Sequence, residues 1–136
     1  MLIGVVVYLA VNWRDIPDRI PGHYNAMGVV DRWGSKSGLI ALPVIAIIMY
    51  ISLTVVGHFP QIWNTGVTVT QENKERVYRI LKNMLQTMKL LIVSVFSFLT
   101  VNSISGRNLS AWFLPIFLIL LFGSMAYFIR KLFKSK

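Results

Sequence analysis

The chain has 136 residues, enough for one domain, and 55% of them are hydrophobic while only 14% are charged, with a mean hydropathy of +0.62. Ordinary soluble domains carry roughly 25% charged residues, so this composition argues against a soluble fold and for insertion in a membrane. The net charge of +9 then reads as basic residues flanking membrane spans rather than as a nucleic-acid surface, and the lack of cysteine excludes disulfides and thiolate metal sites.

Taken in chain order, the first apolar stretch covers about residues 1–13 and ends at Trp13. The start, MLIGVVV, has no basic lead and no signal-type cleavage site after it. A helix of 13 residues reaches only about 20 Å, against an apolar core about 30 Å thick. Trp13 suits the outer interface, so the chain is expected to begin inside its first span, with roughly 7 apolar residues upstream. Further spans are expected at about 39–57, 89–105 and 109–130. Pro43 sits where the start of a helix tolerates it, and none of the stretches carries a charge in its middle. They are too unbroken for barrel strands and are read as helices, which satisfy their own backbone in lipid.

Between the second and third spans, Val77, Ile80, Leu81, Met84, Leu85 and Met88 repeat with the period of one helix face. Glu75, Arg76, Arg79, Lys82 and Gln86 take the other face, which predicts an amphipathic interfacial helix over 71–88 that feeds directly into the third span. Thr70 is its expected N-cap, with Glu72 in the first turn. The fold class expected is therefore all-α: an integral membrane bundle of four transmembrane helices, the first one short, plus one amphipathic helix.

Orientation follows from counting Lys and Arg near the spans. Lys74, Arg76, Arg79, Lys82 and Lys89 group with Arg130, Lys131, Lys134 and Lys136, nine in all, against five in Arg14, Arg19, Arg32, Lys36 and Arg107. The expected protein is multi-pass in the cell membrane, with a cytoplasmic C-terminus and loop 14–38 outside.

That loop is rich in turn formers and polar side chains. Pro17 and Pro21 restrict the chain to extended forms, and Trp13 and Trp33 bracket it at headgroup level. An ordered cap is expected, with Asn25 and Asp31 bonding turn backbone and His23 bridging to a helix end. A zinc site usually needs three or four ligands, mostly His or Cys, and His23 is the loop's one histidine. Ser35 and Ser37 lack the context of an activated nucleophile, and the GSKSG run lacks phosphate-loop spacing. Neither a metal, nor a cofactor, nor a catalytic residue is expected.

The string DIPDRIPGHYNAMGVVDRWGSK resembles the signature of the bacterial family called domain of unknown function 1648, through Pro21, His23, Asn25, Gly28, Asp31, Trp33, Gly34 and Lys36. A second stretch is similar to the family's later region, through Phe59, Pro60, Asn64, Val67, Thr70, Glu72, Asn73 and Tyr78, so the likeness is expected over nearly the whole chain. The resemblance implies a small helical membrane protein, related to the N-terminal part of SdpI-type immunity proteins, which protect cells against a secreted peptide toxin and take part in signalling. It assigns no catalytic residue. Two functions are expected to compete. One is a non-enzymatic membrane protein that senses or binds an extracellular ligand or peptide through loop 14–38, as in immunity. The other is an assembly subunit packed against a larger membrane protein such as a transporter.

Overall fold

A computed structural model describes residues 1–135; Lys136, counted above in the basic tail, lies outside the described residues. The elements are α1 (Leu2–Asn12), β1 (Arg19–Tyr24), β2 (Val30–Ser35), α2 (Ala41–Gly57), α3 (Lys74–Ile104) and α4 (Phe113–Phe133). A 3-10 turn, Lys36–Ile40, leads straight into α2, and a second one, Pro60–Ile62, follows it. Together with its leading turn α2 runs 22 residues, Lys36–Gly57, or about 33 Å. The 21 residues of α4 give about 32 Å and the 31 residues of α3 about 46 Å. These three helices are long and apolar enough to cross a membrane; α1, at 11 residues, is apolar but short.

The molecule is mostly helical but not all-α. Loop 14–38 contains a two-stranded antiparallel hairpin of β1 and β2. Period-2 alternation, the usual strand signal, is interrupted here. Pro21 faces Trp33 and His23 faces Arg32, so Gly22 is an extra residue in β1. Tyr24 then faces Val30, so Asp31 is an extra residue in β2.

The expected amphipathic helix and third span form one unbroken helix, α3. Thr70 does open it. Its hydroxyl accepts from the Asn73 N–H (3.3 Å), while the Asn73 side-chain oxygen accepts from the Thr70 N–H (2.7 Å), a reciprocal arrangement that satisfies two free donors at a helix start. Val77, Ile80 and Leu81 are buried there, and Glu75, Arg76, Arg79, Lys82 and Gln86 are exposed, as the period requires. They pack with Leu132 of α4, and Trp63, Val67, Val69 and Phe128 close over them.

Farther along the same helix the pattern inverts. The buried residues become Lys89, Ser97, Thr100 and Ser103, while Leu90, Phe98 and Val101 are exposed. Small polar residues at a helix seam let backbones approach closely, and large apolar residues outside suit a hydrocarbon solvent. Lys89, at the edge of the expected third span and midway along the whole of α3, is buried. Its ammonium donates to the Thr54 hydroxyl (3.1 Å) and lies 4.8 Å from the centre of the Tyr50 ring, both on α2. The span expected from residue 109 begins instead at Phe113, because Asn108 and Leu109 are drawn into contacts with the hairpin.

Two ends result. The hairpin, the C-terminus of α1 and the α3–α4 turn meet at one; residues 58–73, the start of α3 and the end of α4 meet at the other.

Candidate functional site

The hairpin is built around Asn25. Its side-chain oxygen accepts from the N–H groups of Met27 (2.9 Å) and Val29 (3.0 Å), and backbone bonds from Gly28 N–H to Asn25 O and from Asn25 N–H to Val29 O close the turn. Gly28 has a φ of 80°, and a Cβ added there would lie 2.5 Å from the Leu109 carbonyl oxygen. Only glycine allows that approach. It brings the Gly28 carbonyl to the Leu109 N–H at 2.7 Å, while Asn108 accepts from the Val30 N–H at 2.9 Å. The turn is thereby stitched to the loop between α3 and α4.

Three further contacts seat the hairpin. The Tyr24 hydroxyl lies 3.2 Å from the Ser103 hydroxyl and accepts from the Asn102 amide at 3.1 Å. Lys36 donates to the Trp13 carbonyl at the end of α1 (3.2 Å), lies 3.4 Å from the Asp18 carboxylate and sits 5.3 Å from the centre of the Trp13 ring. A cation at the carbonyl end of a helix also complements its dipole. Ile16, Ile20 and Leu39 bury themselves against Val5 and Leu9 of α1.

The extra residue in β2 aims Asp31 at His23, whose Nδ1 lies 2.7 Å from the carboxylate. Asp31 therefore does not bond turn backbone, and His23 does not bridge to a helix end; both expectations are corrected by the bulge. The pair is exposed. Among the described residues no third His, Asp, Glu or Cys joins it, and His58 lies at the other end, on the Thr54 carbonyl at 2.7 Å.

Beneath the hairpin lies a cavity of about 810 Å³. Its floor is apolar, formed by Leu42 of α2, Leu99 of α3, Phe113 and Leu114 of α4, and Leu109. Its roof and rim come from the hairpin: Pro21, His23, Tyr24, Asn25, Gly28, Arg32 and Gly34. So the first motif converges on one place, with Lys36 as its tether. Trp33 stands apart, exposed on the outer face of β2 toward Gly106.

The second motif does not join this site. Pro60 starts a 3-10 turn; Phe59 is exposed; Asn64 accepts from the Gly66 N–H at 3.3 Å. Tyr78 meets Trp63 edge-to-face at 5.8 Å, and Trp63 donates to the Val56 carbonyl at the end of α2 (2.7 Å). Thr70 and buried Asn73 shape the start of α3, with the Asn73 amide also donating to the Thr68 carbonyl (2.9 Å), and Glu72 is exposed beside them. These residues organise the opposite end.

Residues 1–47 match the family model of Domain of unknown function (DUF1648). The DUF1648 segment takes in α1, the hairpin and the first turns of α2, hence the whole first motif. Residues 59–78 fall outside it, so the expectation of a likeness over nearly the whole chain is not met. No curated protein and no solved structure matches the chain. Residues that sequence reasoning missed are Tyr24, Arg32, Asn102, Ser103, Asn108 and Leu109. Two polar residues ending an apolar helix, followed by a Gly-containing turn, were the signal available for the last four.

Proposed function

We propose that this is a non-enzymatic membrane protein that binds an apolar or amphipathic ligand beneath the hairpin, and that a hydrophobic peptide is the ligand class. The observation carrying this reading is the cavity itself: about 810 Å³, apolar below and polar at the rim. That volume and that division of surface are those of ligand sites in general. The groups that could do chemistry are already engaged, His23 with Asp31 and Asn25 with its turn amides. Arg32, at the rim, takes part in neither ion pair among the described residues, and suits an acidic group on the ligand. The resemblance of the first motif to the N-terminal part of SdpI-type immunity proteins favours a peptide, with immunity by capture as the physiological form. The inverted face of α3 supports membrane insertion, and the basic count supports a cytoplasmic C-terminus with the hairpin outside.

The test uses the reconstituted chain with a photoreactive benzophenone residue at position 99. A synthetic apolar peptide with a free C-terminal carboxylate, added from the hairpin side, should crosslink there. Ala41→Trp, at a lining position, should fill the cavity and abolish the product. Crosslinking that Ala41→Trp leaves intact would sink the reading.

The assembly-subunit reading draws on α4, which packs chiefly against α3 and leaves its most apolar stretch uncovered. Mild-detergent extraction at native expression levels separates the two: a stoichiometric larger partner favours assembly, and the chain alone favours capture.

A further inference from the structure

The end remote from the hairpin holds a second, smaller pocket of about 340 Å³ between the start of α3 and the end of α4. Arg76, Arg79 and Asn83 line it from α3, at the spacing of one helix face; Lys131 of α4 lines it from the other side, with Lys134 and Ser135 just past the end of that helix. Four cations thus converge on one small space, and no carboxylate is among its described lining residues. Both ion pairs among the described residues lie at the other end. Part of the cationic capacity is engaged: Arg76 donates to the Ser135 carbonyl (3.1 Å), and Lys131 lies 5.8 Å from the centre of the Tyr127 ring. Arg79, Lys134 and the remaining guanidinium donors of Arg76 point to an anion with several acceptor oxygens, because guanidinium and ammonium groups bind phosphate through charge-assisted bonds.

The pocket also has a fixed height along the helices. It opens where the uncovered apolar surface of α4 gives way to Arg130 and Lys131, and where the exposed face of α3 is still charged. We infer that it binds the phosphate of an anionic phospholipid headgroup, whose acyl chains lie along the apolar surface beside it. This inference rests on the membrane reading given above, and on no property of the hairpin cavity.

The experiment places the full chain in phosphatidylcholine nanodiscs and titrates in phosphatidylglycerol, with retained lipid read by native mass spectrometry and stability read by melting temperature. Phosphatidylglycerol should be retained preferentially and raise the melting temperature. Arg79→Gln/Lys134→Gln should weaken that retention roughly thirtyfold, the headgroup attraction of two cations. Lys74→Gln/Lys82→Gln removes the same charge from the same end, outside the pocket, and should change retention less than about threefold. Equal losses in the two pairs would overturn the site in favour of diffuse surface attraction. Stabilisation by inorganic phosphate in phosphatidylcholine discs, equal to that by phosphatidylglycerol, would overturn the lipid as ligand. Circular dichroism of both pairs checks folding, and an Arg79→Lys variant that keeps preference over phosphatidylcholine separates charge from collapse. A chain washed from bilayers by alkaline carbonate overturns the membrane reading; a chain that stays inserted but retains both lipids alike overturns this site alone.

Discussion

Two stretches of α3 bury opposite kinds of side chain. Over its first four turns the helix buries Val77, Ile80 and Leu81 and exposes Arg76, Arg79 and Lys82. Over the rest it buries Ser97, Thr100 and Ser103 and exposes Leu90, Phe98 and Val101. A helix in one solvent has no physical reason to turn its polarity inside out. The change is explained if the first stretch meets water and headgroups and the second meets hydrocarbon, where packing, not apolarity, decides what goes inside. The two motifs respect the same division. Asn73 organises the start of α3 from a buried position, and Asn25 organises the hairpin end from an exposed one.

The largest expected effect tests the first stretch. Leu81 is buried against α4 and the 63–69 segment, so Leu81→Ala should cost about 2–5 kcal/mol, read as a fall in melting temperature in detergent. A loss below about 1 kcal/mol would mean that this cluster is not a core. The second stretch is tested by charge. Phe98 is half-exposed near the centre of the apolar part of α3. Phe98→Lys should cost about 3 kcal/mol of membrane insertion, measured by a glycosylation-mapping assay, whereas the same change on a water-facing surface stays within about 0.5 kcal/mol. Unchanged insertion would remove the hydrocarbon side of the comparison.

The paired asparagines come next. Asn73→Ala removes two side-chain hydrogen bonds and leaves the Thr68 carbonyl and Thr70 N–H without these partners, for an expected loss of about 2–3 kcal/mol. Asn25→Ala frees two amides that water can reach, and should cost about 1 kcal/mol. Chemical denaturation of the two variants side by side gives the ratio; equal losses would show that the hairpin turn is as enclosed as the start of α3.

What the sequence revealed follows the same line. The face of α3 from Val77 to Met88 was legible because water imposes a period on it. The inverted face was not, since Ser97, Thr100 and Ser103 look like incidental polar residues until a neighbouring helix is known. The hairpin was hidden by its own bulges: Gly22 and Asp31 each add a residue, and prolines at 17 and 21 suggest loop rather than strand. Its polar motif was legible as a set. Its partners on the α3–α4 turn were not, because a contact such as Gly28 to Leu109 spans 81 positions of sequence and depends on one glycine conformation.

Lys89 stands where the two stretches of α3 meet, and its replacement carries the smallest expected effect. A buried ammonium without a carboxylate partner loses hydration, and among the described residues the Thr54 hydroxyl and the Tyr50 ring face it. Methionine has nearly the same length and no charge to desolvate. It also strands nothing, because the Thr54 hydroxyl donates its own proton to the Tyr50 carbonyl at 2.8 Å and keeps that bond when the ammonium is gone. The loss of one charge-assisted bond and one cation–ring contact is therefore set against the removal of a desolvation cost of similar size. Lys89→Met should shift stability by less than about 1 kcal/mol in either direction. Lys89→Glu presents an anion to the same ring face and hydroxyl, and should be markedly worse than methionine in the same melting assay. A methionine variant that loses more than about 2 kcal/mol would show that the cation holds α2 to α3. The junction between the two stretches would then be an electrostatic joint and not a packing seam that happens to contain a charge.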